Sequence, residues 1–293
     1  MNNLCTACPR NCRVDRTEAV GFCAVGNSFR VARAALHHWE EPCISGTRGS
    51  GTVFFSGCNL KCVYCQNFEI SHNAFGKDIS DERLFEIFDE LIALGAHNIN
   101  LVNPTHYALR LAELFKKKKP SVPVVYNTSG YEKAETLKEL DGIVDIYLTD
   151  LKYCDSKVSK KYSKAEDYFD FASQAIREMK RQQPEDIFDA DGIMQRGVII
   201  RSLILPGNIS QAMKALDFVA DNFTNEAIVS LMSQYTPPSE GLEKFPELQR
   251  TLDAETNTRL IRYMQKRGLS GYWQELSSAT EELLPDWDLS GVY

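Results

Sequence analysis

Three cysteines stand close together in the segment GTVFFSGCNLKCVYCQNFEIS. Cys58, Cys62 and Cys65 have the spacing CxxxCxxC and directly follow an apolar run that is typical of a buried strand. Thiolate ligands select iron-sulfur clusters, zinc or copper(I). Three local thiolates around a four-iron cluster leave one iron open to another ligand, as catalytic metal sites do. The alternatives are a closed zinc site completed by Cys43, Cys154 or a histidine, or three unrelated buried cysteines.

A second group of cysteines lies near the amino terminus, in CTACPRNCRVDRTEAVGFC. Its members are Cys5, Cys8, Cys12 and Cys23. Four thiolates in so short a segment, two of them in a CxxC pair, are able to close a tetrahedral site and to fold a piece of chain that has no core of its own. The segment therefore predicts zinc or an auxiliary iron-sulfur cluster. The alternative is a reduced, metal-free lid over the mouth of a barrel.

The composition favours a globular protein and disfavours some partners. The chain has 293 residues, 43% of them hydrophobic, which is enough for one large core. Its formal net charge is −7 and its basic residues are scattered, so we expect no nucleic-acid partner. The amino terminus lacks the apolar stretch of a signal peptide, and no segment approaches the ~20 apolar residues that span a bilayer. We therefore expect no membrane association and a cytoplasmic location, where free thiols outnumber disulfides.

The elements that must position these cysteines follow a repeating pattern. From residue 51 onward, short apolar runs alternate with amphipathic stretches, which indicates βα units and a parallel sheet. Six such repeats are the simplest count, with ligands expected at the carboxyl ends of the strands. Strands are predicted at residues 51–56, 98–102, 122–126, 144–149, 197–205 and 227–232. Helices are predicted at residues 81–94, 108–118, 132–140, 165–181, 209–221 and 253–266.

The cysteine loop resembles the signature of a known family. CNLKCVYC resembles the CxxxCxΦC motif of radical S-adenosylmethionine (SAM) enzymes, in which Φ is usually aromatic and is here Tyr64. The chain is similar above all to activating enzymes of glycyl-radical enzymes, of the pyruvate formate-lyase activase type, over most of residues 1–275. The resemblance implies an α/β fold, a partial (βα)6 TIM-like barrel at residues 49–293. A cysteine-rich amino-terminal extension at residues 1–48 precedes it.

The resemblance also implies the cofactors and the reaction. Cys58, Cys62 and Cys65 hold a 4Fe-4S cluster, and the methionine part of SAM chelates its open iron. One electron from the reduced cluster splits SAM into methionine and a 5′-deoxyadenosyl radical, which abstracts hydrogen from a substrate. The protein supplies orientation and a dry cavity for this chemistry.

Residues from several strand ends are implied to lie beside SAM. Tyr64 packs near the adenine, and the Lys152 ammonium, in TDLKY, offsets the charge of the chelated carboxylate. The family's GGE turn after the second strand is replaced here by NPTHY, so its carboxylate is missing and Asn103 and Thr105 are the candidate replacements. His106 in this turn is either a proton donor or substrate contact, or a capping or packing residue. The whole predicted set is Tyr64, Asn67, Asn103, Thr105, Thr128, Asp150, Lys152, Arg201 and Tyr235.

Three functions are compatible with these residues. The first is an activase that abstracts hydrogen from a glycine of a glycyl-radical enzyme. The second is the same radical chemistry on a peptide or small molecule, because the NPTHY turn and the extra cysteines depart from the prototype activases. The third is a non-catalytic binding protein stabilised by zinc. For the first two, the resemblance implies a flavodoxin- or ferredoxin-type electron donor.

Overall fold

The computed structural model describes residues 4–224, 226–238, 241–274 and 286–293, in which strands and helices alternate. The strands are β1 (Phe29–His37), β2 (Ser50–Phe55), β3 (Lys77–Ile79), β4 (Ile99–Val102), β5 (Val124–Thr128), β6 (Ile146–Asp150), β7 (Ile187–Phe188), β8 (Met194–Leu203), β9 (Ile228–Met232) and β10 (Gly271–Trp273). The α-helices are α1 (Pro42–Ser45), α2 (Phe68–Ser71), α3 (Asp81–Ala93), α4 (Ala108–Phe115), α5 (Ala134–Lys138), α6 (Ser156–Ser163), α7 (Tyr168–Gln182), α8 (Ile209–Phe223) and α9 (Ala254–Lys266).

One curved sheet organises these elements. Its strand order is β10-β9-β8-β6-β5-β4-β2-β1-β3, and the short β7 pairs with β8 outside this path. All strands from β2 to β10 along the path are parallel, whereas β1 and β3 add two antiparallel strands at the β2 edge. The predicted α/β fold, a partial TIM-like barrel, is confirmed, and its six predicted strands correspond to β2, β4, β5, β6, β8 and β9.

Burial explains why these segments adopt their structures. Every residue of β5 and β6 is buried, as expected for parallel strands covered on both faces. Helix α3 buries Leu84, Ile87, Phe88 and Leu91, which recur at the three- and four-residue spacing of one helical face. The Ser80 hydroxyl caps this helix by accepting a hydrogen bond from the Arg83 amide. Local sequence and core packing therefore agree on the βα pattern.

Several element boundaries differ from the prediction. Strand β5 begins at Val124 rather than at residue 122, since Pro123 has no amide proton to donate to the sheet. Helix α5 is confined to five residues of the predicted 132–140. Helix α6 was not predicted because its sequence, SKVSKKYS, is mostly polar. An Asp155 cap at its start and basic residues in its last turn support it.

The amino-terminal part of the chain contributes directly to the sheet. Strand β1 lies within residues 1–48, and its pairing with β2 runs from Val31 opposite Phe55 to His37 opposite Ser50. The division into an extension and a barrel at residue 48 stays a prediction. Within the described ranges, no helix is long and apolar enough to cross a membrane.

Candidate functional site

The predicted metal ligands lie in one loop at the carboxyl end of β2. We call residues 57–67 the cluster loop; it connects β2 to α2 and carries Cys58, Cys62 and Cys65. Each sulfur accepts a hydrogen bond from inside the protein. The Leu60 amide lies 3.3 Å from the Cys58 sulfur, the Ser163 hydroxyl 3.0 Å from that of Cys62, and the Ser71 hydroxyl 3.3 Å from that of Cys65.

The environment of these sulfurs is dry. Burial is the main factor that raises the pKa of Cys58, and burial beside Cys62 and Cys58 raises that of Cys65 to about 12. A thiol in such surroundings stays protonated at neutral pH unless a positive charge or a metal takes the place of the proton. Cys58 and Cys65 are therefore poor free nucleophiles, and a bound metal is what would favour their thiolate forms.

A cavity joins the cluster loop to the carboxyl ends of four further strands. Most of the predicted SAM contacts line it, together with the three cysteines. The Ser129 hydroxyl is buried on the same wall and has no hydrogen-bond partner. From the predicted set the lining includes Asn67, Asn103, Thr128, Asp150, Lys152 and Arg201.

Charged side chains on one wall of this cavity form a connected network. The Arg201 guanidinium donates to Asp150 at 2.9 Å, to Glu40 at 3.2 Å and to the Asn127 amide oxygen at 2.6 Å. The Lys152 ammonium donates to the other Asp150 oxygen at 2.6 Å. Burial alone raises the pKa of Asp150, but the Lys152 and Arg201 charges outweigh it and hold the pKa below its usual value. The wall thus carries ionised groups that are already paired and oriented.

Asn103 and His106 belong to the turn after β4, whose sequence NPTHY contains no carboxylate. Asn103 has a left-handed backbone conformation, with φ of 59°, and its side-chain amide donates to the Gly57 carbonyl in the cluster loop. The ring of His106 is buried and lies 2.9 Å from the Ser56 carbonyl. Burial lowers the pKa of His106 to about 3, so the ring is neutral and the packing interpretation is favoured.

Three predicted contacts are not among the residues that line the cavity, and their hydroxyl groups have protein partners. The Thr105 hydroxyl donates to Glu132 at 2.5 Å. The Tyr64 hydroxyl lies 2.6 Å from that of Tyr153, and the Tyr235 hydroxyl donates to the Leu248 carbonyl. A role for Tyr64, Thr105 and Tyr235 beside SAM stays a prediction.

Two carboxylates near the site, the buried Glu132 and the half-buried Glu40, were not predicted from the sequence. Glu132 accepts hydrogen bonds from Thr105, Thr128 and Tyr126 on one oxygen, while its other oxygen has no partner. Burial raises the pKa of Glu132 to about 7. Glu40 enters the barrel from the segment before β2. Glu40 precedes Glu41 in the sequence and Glu132 precedes Lys133, so neither position lies in an apolar run that predicts burial.

The amino-terminal cysteine segment, residues 5–23, packs against the cluster loop. Cys8 and Cys23 are buried, and Cys5 and Cys12 are half-buried. The Arg10 side chain donates to the Asn59 carbonyl at 2.7 Å and stacks on Phe22, with 3.9 Å from its central carbon to the ring centre. The segment therefore covers part of the barrel mouth, while its metal content stays a prediction.

The cysteines of the cluster loop are compatible with an iron-sulfur cluster. In the described ranges, no three Cys, His, Asp or Glu side chains meet closely enough to hold one metal ion. The thiolates of an iron-sulfur cluster bind separate irons, so they need not converge on one point. Cys43, a suggested fourth zinc ligand, lies in a separate apolar cluster with Ile44 and Met194. Three thiolates on one loop suit a cubane, and the charged wall beside them suits a polar ligand.

Known proteins are similar to this chain in sequence or in fold. The family model of the radical SAM superfamily matches residues 52–215, just over half of the chain. An uncharacterized protein of Methanocaldococcus jannaschii is 31% identical over 274 residues, which cover 90% of this chain and 75% of that protein. SuiB of Streptococcus suis, solved with SAM bound, has a TM-score of 0.51 and 16% identity over 78% of this chain and 51% of its own. A radical SAM methyltransferase from Sphaerobacter thermophilus has a TM-score of 0.52 and 13% identity, over 77% and 66%.

Proposed function

The chain belongs to the radical SAM superfamily, and from this premise we propose that it activates a glycyl-radical enzyme by abstracting hydrogen from a glycine of that partner. Family membership makes it an enzyme that uses a 4Fe-4S cluster and SAM, which replaces the interpretation as a non-catalytic zinc protein. The observation that carries the SAM chemistry is the three-cysteine loop facing a charged strand-end wall across one cavity. The choice of a glycine as hydrogen donor is supported by the resemblance of CNLKCVYCQN and TDLK to the activases.

Cys58, Cys62 and Cys65 are the residues that would hold the cluster. When bound, a reduced cluster supplies the electron that splits SAM and so yields the radical that takes the hydrogen. Lys152 lies next to the cluster loop and is positively charged, because Asp150 outweighs the effect of burial and raises the pKa of Lys152. It is therefore placed to bind the SAM carboxylate, as an ammonium in a dry site does.

Asp150 and Arg201 serve as orienting groups in this proposal. Their ion pair is largely shielded from solvent, with 14% of the Arg201 side chain and 11% of the Asp150 side chain exposed. It has further hydrogen bonds to Asn127 and Lys152, so neither charge is left without a partner. Prearranged charges of this kind bind a polar cofactor without first reorganising water. The buried walls also keep solvent from a reactive intermediate.

The test uses the full chain, reconstituted anaerobically with iron and sulfide and reduced with dithionite. We expect that incubation with SAM and a glycyl-radical enzyme of the same organism gives a glycyl radical signal in electron paramagnetic resonance. The Cys62→Ala variant serves as the control without a cluster. A SAM-cleaving preparation that gives no glycyl radical with any such partner would overturn the proposal.

A second candidate keeps the chemistry but changes the substrate to a peptide or small molecule. It is favoured by the turn after β4, because Thr105 donates to the buried Glu132 rather than lining the cavity. Release of 5′-deoxyadenosine together with a modified peptide or metabolite, and without a protein radical, is its distinguishing result. Under either candidate we retain a cytoplasmic location, a flavodoxin- or ferredoxin-type donor, and zinc or a second cluster at the amino-terminal cysteines as proposals.

A further inference from the structure

We propose that three buried hydroxyl groups, those of Tyr64, Tyr153 and Ser163, form a directed hydrogen-bond chain that raises the reduction potential of the cluster through Cys62. The inference rests on the cluster that the family implies and on the proposed role of Cys62 as its ligand. It does not depend on which substrate loses hydrogen.

The chain of contacts is short and continuous. The Tyr64 and Tyr153 hydroxyl oxygens are 2.6 Å apart, the Tyr153 oxygen is 2.7 Å from that of Ser163, and the Ser163 oxygen is 3.0 Å from the Cys62 sulfur. Tyr153 and Ser163 have no exposed surface, and Tyr64 is 4% exposed. Water therefore does not compete for these hydroxyl groups.

Separate elements hold the three residues in place. Tyr64 lies in the cluster loop, Tyr153 follows β6, and Ser163 is the last residue of α6. The Val63 amide donates to the Tyr162 carbonyl at 2.9 Å, and the Arg10 side chain donates to the Ser163 carbonyl at 2.9 Å. These bonds fix the end of α6 against the cluster loop and so hold the Ser163 backbone beside Cys62.

A metal-bound Cys62 determines the direction of the chain. A thiolate has no proton, so Ser163 must donate to it, and the single hydroxyl proton of Ser163 is then used. Tyr153 must in turn donate to Ser163, and Tyr64 to Tyr153. All three hydroxyl dipoles point their positive ends towards the sulfur, and each bond polarises the next.

This direction favours the reduced cluster. Reduction by one electron from an external donor adds negative charge to the cluster and its sulfurs. Hydrogen bonds to the sulfurs are among the factors that set the potentials of iron-sulfur clusters, and a donated proton stabilises the more negative state. In this dry site the three hydroxyl groups take the place of solvent dipoles.

The bond from Ser71 to Cys65 is the natural control within the same loop. It is longer, at 3.3 Å, and the Ser71 hydroxyl also lies 2.8 Å from the Nδ1 atom of His72 and 3.4 Å from the Phe68 carbonyl. The proton of the Ser71 hydroxyl therefore has other acceptors besides the Cys65 sulfur. We infer that Ser71 contributes less to the potential than Ser163, although both touch a cluster ligand.

The experiment is a redox titration of the reconstituted full chain, followed by the signal of the reduced cluster in electron paramagnetic resonance. For Ser163→Ala we expect the one-electron equilibrium to shift about tenfold towards the oxidised cluster, which corresponds to ~59 mV. Tyr153→Phe should shift the equilibrium in the same direction but less than Ser163→Ala. Tyr64→Phe should shift it less than Tyr153→Phe. Ser163→Thr keeps a hydroxyl and should restore most of the wild-type potential, whereas Ser71→Ala should change it least.

Iron and sulfide analysis accompanies each titration. A Ser163→Ala protein with a full cluster and an unchanged potential would overturn the inference, and so would equal shifts in Ser163→Ala and Ser71→Ala. If Ser163→Ala does not retain its cluster, Tyr153→Phe decides, because it leaves the serine and the ring in place. The titration needs no substrate, so a missing glycyl radical would refute the proposed function without affecting this result.

Discussion

The cluster loop and the amino-terminal cysteine segment are held in the fold by different kinds of contact. The cluster loop is anchored to β2 and α2, and each of its sulfurs has an internal hydrogen-bond donor. The amino-terminal cysteine segment has only short turns and the bridge between Leu4 and Asp15 in its described part, and long side chains such as Arg10 bind it to the barrel. The two regions therefore differ in how the fold holds them, by regular elements in one and by turns and side-chain contacts in the other.

The largest expected difference between the regions is in catalysis. Cys62→Ala should lose the cluster and reduce SAM cleavage to background, because two ligands cannot hold a cubane with an open iron. Cys23→Ala should keep the cluster and SAM cleavage, since the backbone carbonyl of Cys23, rather than its sulfur, approaches the cluster loop at Gly57. Iron content and 5′-deoxyadenosine release measure the effect. Loss of all iron in Cys23→Ala would show that the two regions form one metal site.

The next difference concerns the close approach of the two regions at Gly57. This glycine has φ of 83°, and a Cβ atom there would lie 2.5 Å from the Cys23 carbonyl oxygen. Gly57→Ala should lower the free energy of unfolding by about 3 kcal/mol or more, because left-handed strain and overpacking add together. Gly21→Ala, whose Cβ would lie 3.0 Å from the Cys12 sulfur, is the matched substitution and should cost only about 1 kcal/mol. Equal losses in urea denaturation would contradict the view that the contact is tightest at Gly57.

Glu132 offers a test outside the two cysteine regions, because its hydrogen bonds come from Thr105, Thr128 and Tyr126. Its pKa is raised from 4.5 to about 7, so the folded state binds a proton that the unfolded state has already released. Stability should therefore fall as the pH rises from 4.5 to 7 and then level off, and Glu132→Gln should abolish about 3 kcal/mol of that fall. Urea denaturation at several pH values measures it, with Glu135→Gln on the exposed face of α5 as the control. Parallel pH profiles for wild type and Glu132→Gln would refute the assignment.

The smallest expected effect is at the arginine that joins the two regions. Arg10 donates to the carbonyls of Asn59, Ser163 and Lys164, at 2.7, 2.9 and 2.5 Å. Arg10→Ala should lower the free energy of unfolding by about 2 kcal/mol, the range for hydrogen bonds from a charged donor. Arg10→Lys keeps the charge but not the fork of donors, so an intermediate loss is expected. If lysine restores full stability, charge rather than the fork holds the segment.

The sequence predicted the parts that depend on local pattern. The six parallel strands and the cysteine loop have clear signals, namely apolar runs of strand length and a motif at a strand end. The parts it did not predict depend on contacts between distant residues. Strand β1 was not predicted because residues 1–48 were interpreted as a cysteine-rich extension. Strand β10 has only three residues, which is too short for a clear pattern. Ser163 contacts a cysteine 101 positions away, from a helix whose sequence is too polar to indicate burial.

Glu40 shows why the first part of the chain is more than an addition to the barrel. It stands before residue 48, yet its carboxylate accepts hydrogen bonds from Asn100, Asn127 and Arg201 inside the sheet. A shortened protein that begins at β2 would lack Glu40, and the Arg201 guanidinium would lose one of its two carboxylate partners. We therefore expect that a minimal functional version must include the segment between β1 and α1, which carries Glu40.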